Sequence, residues 1–128
     1  MMQFFVSDPR FLQRLQQCAR QQDIAIFYLD GTQIKNKNDF FKEIATVMQF
    51  PEYFGENWDA LQDCLTDLSW CAAKEYWLIY DNARNFAHAT PDDWQTLCGI
   101  LQDTVIYWQN TATPLTWIVV GDATISQV

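Results

Sequence analysis

Three aspartates, Asp59, Asp63 and Asp67, recur at every fourth position in a stretch with no Lys or Arg between Lys42 and Lys74. Wound as a helix, they would share one face, because a turn takes about 3.6 residues. Like charges at that spacing repel by roughly 0.2–0.5 kcal/mol per adjacent pair. An arrangement that costs stability in the free chain has three readings. With Glu56, Asp59 and Asp63 could ligate Mg²⁺ or act as acid and base. The face could be kept acidic to meet a cationic partner through charge-assisted hydrogen bonds. Or it could be an ordinary solvated face. The first reading is the weakest, since carboxylates along one helix face do not converge on a point.

Other reactive constellations are missing from the chain. Hydrolysis through Ser-His-Asp or Cys-His needs a histidine base. The single histidine, His88, stands in an irregular stretch without a serine neighbour and reads as a surface or structural residue. The four glycines do not cluster, so there is no phosphate-cradling loop. Cys18, Cys64, Cys71 and Cys98 form no C-x-x-C pair and no grouping with His. That argues against zinc and for reduced, mostly buried thiols. Neither a cofactor nor an enzymatic activity is expected.

The formal net charge of −8 is unevenly spread. In residues 1–42 six Lys/Arg against four Asp/Glu give +2; in residues 43–128 two against twelve give −10. Such a field repels nucleic acid and draws in basic proteins, so direct nucleic-acid binding is not expected. No apolar run approaches the roughly 18–20 residues that cross a bilayer. The first ten residues also lack the basic-then-apolar layout of a secretion signal. The expected setting is cytoplasmic, and the expected free state is a monomer.

The elements that must position the aspartates follow from periodicity. Pro51 and Gly55 break the chain before Asn57, which is a good N-cap, and Asp59 then lies in the first turn, where the helix dipole favours a carboxylate. The spacing predicts a helix over 57–70, with Trp58, Leu61, Leu65 and Leu68 inward and Cys64 at the edge of that stripe. Ile24–Leu29, Glu75–Tyr80 and Leu115–Val120 are short, β-branched and aromatic, and they read as strands covered on both faces. A helix starting at Asn38-Asp39 and ending before Pro51 carries Phe40, Phe41, Ile44, Val47 and Met48 inward. Residues 83–89 suggest one helical turn. Thr90-Pro91-Asp92-Asp93 then opens a helix that continues through Trp94, Leu97, Cys98, Leu101, Val105 and Trp108 to about Gln109. Gly99 inside it costs about 1 kcal/mol against Ala and suggests close packing. Helices between successive strands imply a parallel sheet with right-handed crossovers.

The first 23 residues read as an extension packed on a domain formed by residues 24–128. It holds a short strand at 3–6 and, from Ser7, Asp8 and Pro9, a helix with the apolar stripe Phe11, Leu12, Leu15 and Cys18. The predicted fold class is α/β, a small three-stranded parallel sheet packed with helices plus that N-terminal helical segment.

The run Pro51-Glu-Tyr-Phe-Gly-Glu-Asn-Trp-Asp-Ala-Leu-Gln-Asp-Cys-Leu-Thr66 closely resembles the loop-and-helix signature of the barstar family, whose namesake is the intracellular inhibitor of the secreted ribonuclease barnase. A looser resemblance runs from about Ile24 to Gly121, and its three-stranded parallel sheet agrees with the periodicity. The resemblance implies a ribonuclease inhibitor that blocks the nuclease active site with an acidic helix and the loop before it. On that resemblance Asp63 matches the dominant acidic contact and Asp59 its companion one turn earlier. Tyr53, Gly55 and Asn57 match the binding loop, and Thr66 a contact at the far end. Asp103 is the counterpart of a carboxylate on the family's last helix, or a plain exposed helix residue. Gln62 stands where a Trp is typical of the contact surface, Asp67 where the namesake has Gly, and Trp58 where a smaller apolar residue is usual. These departures point to a basic toxin nuclease domain other than barnase, and so to an immunity protein. Two alternatives remain: an acidic interaction module with a non-nuclease partner, and a carboxylate-dependent metalloenzyme.

Overall fold

Ile24, Ile26 and Phe27, like Trp77, Ile79 and the run Trp117–Val119, favour extended backbone because branched and aromatic side chains fit a pleated surface. In the computed structural model, which describes residues 3–6 and 23–120, they form strands β2 (Ile24–Asp30), β3 (Glu75–Asp81) and β4 (Leu115–Val120). All three expected strands are present and parallel. Ile24 registers with Glu75, and Tyr76 with Leu115. A fourth strand, β1 (Gln3–Val6), pairs in parallel with β4, placing Gln3 beside Trp117. The short strand expected at residues 3–6 is thus present, and it joins the three-stranded parallel sheet at the β4 edge, giving the order β1-β4-β3-β2. The helix expected over the Phe11–Cys18 stripe lies outside the described residues.

After a 3-10 turn at Gly31–Gln33, helix α1 spans Lys37–Val47 and α2 spans Trp58–Leu65. Helix α3 (Arg84–Ala89) and the long α4 (Pro91–Gln109) fill the crossover from β3 to β4. Alternate sheet residues Phe27 and Leu29, Tyr76, Leu78 and Tyr80, and Leu115, Trp117 and Val119 share one core with the helices. Phe40 and Ile44 of α1, Leu61 and Leu65 of α2, Phe86 of α3, and Trp94, Leu97 and Leu101 of α4 complete it. Phe40 sits at its centre, with ring centroids 5.9 Å from Tyr80 and 6.2 Å from Phe86. Gly31 is needed where the chain leaves β2, since a Cβ there would lie 2.1 Å from the carbonyl oxygen of Asp81.

Local chemistry corrects several expectations. Helix α1 begins two residues early, at Lys37, because the side chain of Asn36 accepts the Asp39 N–H at 2.9 Å. Pro91 and the carboxylates of Asp92 and Asp93 open α4 as expected, but the Thr90 side chain caps nothing and its hydroxyl donates back to the Phe86 carbonyl. Gly99 has no packing role, for it is exposed and a Cβ there would meet nothing within 4 Å. Cys64, Cys71 and Cys98 are free thiols, while Cys18 lies outside the described residues.

Two measurements follow from this packing. Gly99→Ala should raise stability by about 0.5–1 kcal/mol through lower unfolded-state entropy, seen as a higher urea midpoint at unchanged slope. A loss would mean that Gly99 is held by something the packing does not show. Burial pushes the Cys98 thiol from 9.0 up to about 12. Between those values the unfolded chain releases a proton that the folded chain keeps, so stability falls as pH rises. Cys98 adds up to about 1.4 kcal/mol per pH unit to that fall. Unfolding curves from pH 8 to 11 should therefore show a shallower loss for Cys98→Ala than for wild type.

Candidate protein-binding face

The acidic segment is seated by aromatic packing on its inner side. Phe50 and Phe54 lie 4.9 Å apart edge to face, Phe54 meets Phe41 at 6.0 Å, and Trp58 meets Phe41 at 4.9 Å. Trp70 closes the cluster, with its ring 6.0 Å from Phe50 and its indole N–H donating to the Met48 carbonyl at 3.0 Å. The loop from Pro51 to Asn57 is thus anchored by Phe54 and held short by the Phe54 N–H bond to the Pro51 carbonyl. Gln49 and Glu56 both take left-handed backbone angles, at φ 54 and φ 51. Side chains other than glycine rarely adopt that region, and such residues cluster where a loop's shape matters to function.

The start of α2 is built as the sequence suggests. The Asn57 side-chain oxygen accepts the Ala60 N–H at 2.8 Å, and its amide donates to the Gly55 carbonyl at 3.3 Å. A Cβ on Gly55 would stand 3.1 Å from that amide nitrogen, so glycine leaves room for the cap. Asp59 follows in the first turn, where the helix dipole favours it.

The far end differs from the expectation of a helix to residue 70. α2 stops at Leu65, with Thr66 as its C-cap. The Thr66 hydroxyl donates to the Gln62 carbonyl at 2.8 Å, and the N–H groups of Asp67 and Leu68 both turn back to the Cys64 carbonyl. Leu68, at φ 50, then drops into the core with 1% exposure. Asp67 therefore stands on the turn after the helix and not on the helix face with Asp59 and Asp63. That relieves part of the like-charge repulsion expected from a continuous helix.

The outer side carries Tyr53, Gly55, Glu56, Asn57, Asp59, Gln62, Asp63 and Asp67, all exposed, with Thr66 half-buried. The inner side buries Leu61, Cys64 and Leu65. The Tyr53 ring is 72% exposed, yet its hydroxyl titrates above the usual range. Partial loss of solvent raises it first, followed by the charge of Asp67, the Cys64 thiol and the charge of Asp63. The Cys64 thiol is likewise raised, by burial and then by Asp63 and Asp67. Asp63 on the helix and Asp67 on the turn thus both act on the loop's Tyr53 hydroxyl and on the Cys64 thiol. Among the described residues no salt bridge reaches Asp59, Asp63 or Asp67.

Asp103 lies on a second element. It is exposed on α4, which packs beside α2 through the Trp108 indole N–H bond to the Leu65 carbonyl at 2.8 Å. Three and four residues beyond it, Ile106 and Tyr107 are 49% and 53% exposed, large apolar side chains on the outer side of the helix. The sequence reading passed over both. Their signal was there: they fall off the inward stripe of Leu97, Leu101, Val105 and Trp108 while being too apolar for a solvated face.

Among the described residues no three His, Cys, Asp or Glu side chains come close enough to hold a metal ion, so Glu56, Asp59 and Asp63 do not converge. His88 lies in the last turn of α3, exposed, beside a concavity shared with Lys35, Arg84 and Asn85. No described helix is long and apolar enough to cross a membrane. The pinned loop, capped helix and outward carboxylates form a surface suited to docking on a basic protein. Residues 24–120 match the family model described as Barstar (barnase inhibitor), a span that takes in the whole of this face and strands β2, β3 and β4. This chain is a member of the Barstar family.

Proposed function

We propose that this protein inhibits a ribonuclease by inserting Asp59 and Asp63 of α2, together with the loop from Tyr53 to Asn57, into the cationic active site of the enzyme. The observation that carries the reading is the exposure of Tyr53, Asp59, Asp63 and Asp67 on α2 and its flanking segments, beside a loop already held in shape by Phe50, Phe54 and Trp58. A ribonuclease must hold phosphates, so its cleft is lined with cations. A helix bearing carboxylates can occupy the phosphate positions, make the same charge-assisted bonds, and offer no bond to cleave. Ordering costs are low because the loop is already held in place. The −10 charge of residues 43–128 speeds encounter with a basic nuclease, an advantage when the target destroys cellular RNA.

Gln62 and Thr66 flank the carboxylates, and Asp67 extends the acidic patch toward Tyr53. Asp103, Ile106 and Tyr107 supply a second contact from α4, apolar at its centre and acidic at its edge. Asp67 and Gln62 depart from the family pattern and favour a toxin nuclease domain other than barnase, which makes the protein an immunity protein of the cytoplasm. Its free form is a monomer, and it binds neither nucleic acid nor membrane.

Against the cognate nuclease, Asp63→Ala should weaken binding most, because it strands desolvated cations of the partner. Truncating one member of such a pair costs about 2–5 kcal/mol, a range drawn in part from the family's own barnase complex, and acts mainly through faster dissociation. Asp59→Ala should follow. Gln62→Ala and Asp67→Ala should do less and act more on the association rate, with an effect that shrinks at high salt. Surface-plasmon kinetics at low and high salt would measure all four. An Asp63→Ala variant that binds within about threefold of wild type, ~0.65 kcal/mol, would show that the acidic helix is not the inhibitory element. Binding without loss of ribonuclease activity would instead favour an acidic interaction module.

The α4 contact is tested on its own by Tyr107→Ala. It should slow neither folding nor association, yet raise the dissociation rate several-fold, as expected for a buried aromatic anchor. Unchanged kinetics would restrict the interface to α2 and its loop.

A further inference from the structure

Cations are scarce in the second part of this chain. Lys74 and Arg84 are the only Lys or Arg after residue 42, and His88 is the single histidine. Arg84 and His88 nevertheless share one side of α3 at i, i+4 spacing. Both line a concavity of about 430 Å³ together with Lys35, Asn85 and Ala89, and no carboxylate among the described residues lines it. Arg84 is also the first residue of α3, in the turn where the helix dipole disfavours a cation. Gathering these groups costs stability in the free protein, and the acidic face of α2 uses none of them.

Buried anchors fix the arrangement. Gly31 lets the exit of β2 press against the exit of β3, where a Cβ would lie 2.3 Å from the Asn82 carbonyl oxygen. Ile34, Ala83 and Phe86 have no exposed surface, while their neighbours Lys35, Arg84, Asn85 and His88 are exposed. The concavity therefore lies just beyond the carboxyl ends of the adjacent parallel strands β2 and β3. Open parallel sheets bind their ligands in that place.

We propose that this concavity binds a small phosphate-bearing ligand through the Lys35 ammonium, the Arg84 guanidinium, the Asn85 amide and the His88 imidazole. A flat carboxylate is satisfied by the fork of one arginine. A tetrahedral phosphate spreads its acceptor oxygens in three dimensions and suits donors that arrive from separate side chains. The volume falls in the range of small-molecule sites, about 300–1,000 Å³, and leaves room for the group that the phosphate esterifies. The net charge of −8 opposes an anion, but charges farther off than about 8 Å are largely screened at physiological salt. The carboxylates of the two strand exits already accept hydrogen bonds: Asp30 from the Thr32 N–H at 3.0 Å, Asp39 from the Lys35 N–H at 3.2 Å, and Asp81 from the Tyr28 hydroxyl. Among the described residues no salt bridge holds the side chain of Lys35 or His88. Arg84 has another interaction within the chain, and its five N–H donors can serve a second acceptor.

Nitrogen-15-labelled full-length protein, titrated at constant ionic strength with inorganic phosphate and with a nucleoside monophosphate, tests the proposal. The amide signals of Lys35, Arg84, Asn85 and His88 should shift and saturate. Tighter binding of the nucleoside monophosphate would show that the rest of the concavity is used, and equal binding would assign the phosphate group alone as the ligand. Lys35→Ala and Arg84→Gln should each weaken binding about tenfold, as expected for one lost charge-assisted bond. Lys42→Ala and Lys74→Ala should leave it within about twofold. Lys35 is exposed, so its variant keeps the fold even if Arg84→Gln does not. Shifts that never saturate, acetate binding as tightly as phosphate, or Lys35→Ala binding like wild type would each overturn the proposal.

Discussion

All pairings in the sheet are parallel, and that constraint shapes the rest of the molecule. A parallel pair cannot be closed by a tight turn, so every connection must climb back across a sheet face. The crossover from β2 to β3 delivers α1 and α2 to one face, and the crossover from β3 to β4 delivers α3 and α4 to the same one. α2 therefore has one side committed to the core through Leu61, Cys64 and Leu65, and only its other side is left for a partner. The acidic surface is a by-product of where the crossover must run.

That geometry also explains why the acidic surface can be rigid at little cost. The loop before α2 would be a poor platform if it carried only polar residues. Instead it alternates anchors with presented groups: Phe50, Phe54 and Trp58 pack inward, while Tyr53, Glu56 and Asn57 stay out. The left-handed backbone at Gln49 and Glu56 is tolerated because these rings and the Asn57 cap hold the chain on both sides. Strain of this kind, of order 1–3 kcal/mol per residue, persists only where surrounding structure over-determines it. A preset binding loop is the useful result, since little entropy remains to be lost on docking.

The core is less tidy than the surface. Tyr80, Trp94 and Trp117 each bury a polar atom that finds no hydrogen-bond partner among the described residues. Each such atom costs about 1–3 kcal/mol. The compensation is aromatic area: Tyr80 lies 5.9 Å from Phe40 and 5.7 Å from Trp94 in stacked and edge-to-face geometry. Large rings fill the space between a twisted sheet and four helices, and their polar atoms come with them.

Much of this was determined by the sequence alone. Strands β2, β3 and β4 are short branched runs between turn residues, and their parallel order followed from the helices between them. The Asn57 cap, the Asp59 position and the inward Leu61 and Leu65 depend only on neighbours within a turn, so they could be read locally. What the tertiary structure decided lies beyond that range. The end of α2 at Leu65 depends on Leu68 finding a place in the core, a contact that no helical periodicity contains. The place of β1 in the sheet depends on an edge of β4 waiting to be paired, far from residues 3–6 in sequence. The effect of Asp63 and Asp67 on Tyr53, and the exposure of Ile106 and Tyr107, depend on how loop and helices settle on the sheet. Local propensity acts over a few residues, whereas packing compares surfaces that only the folded chain brings together.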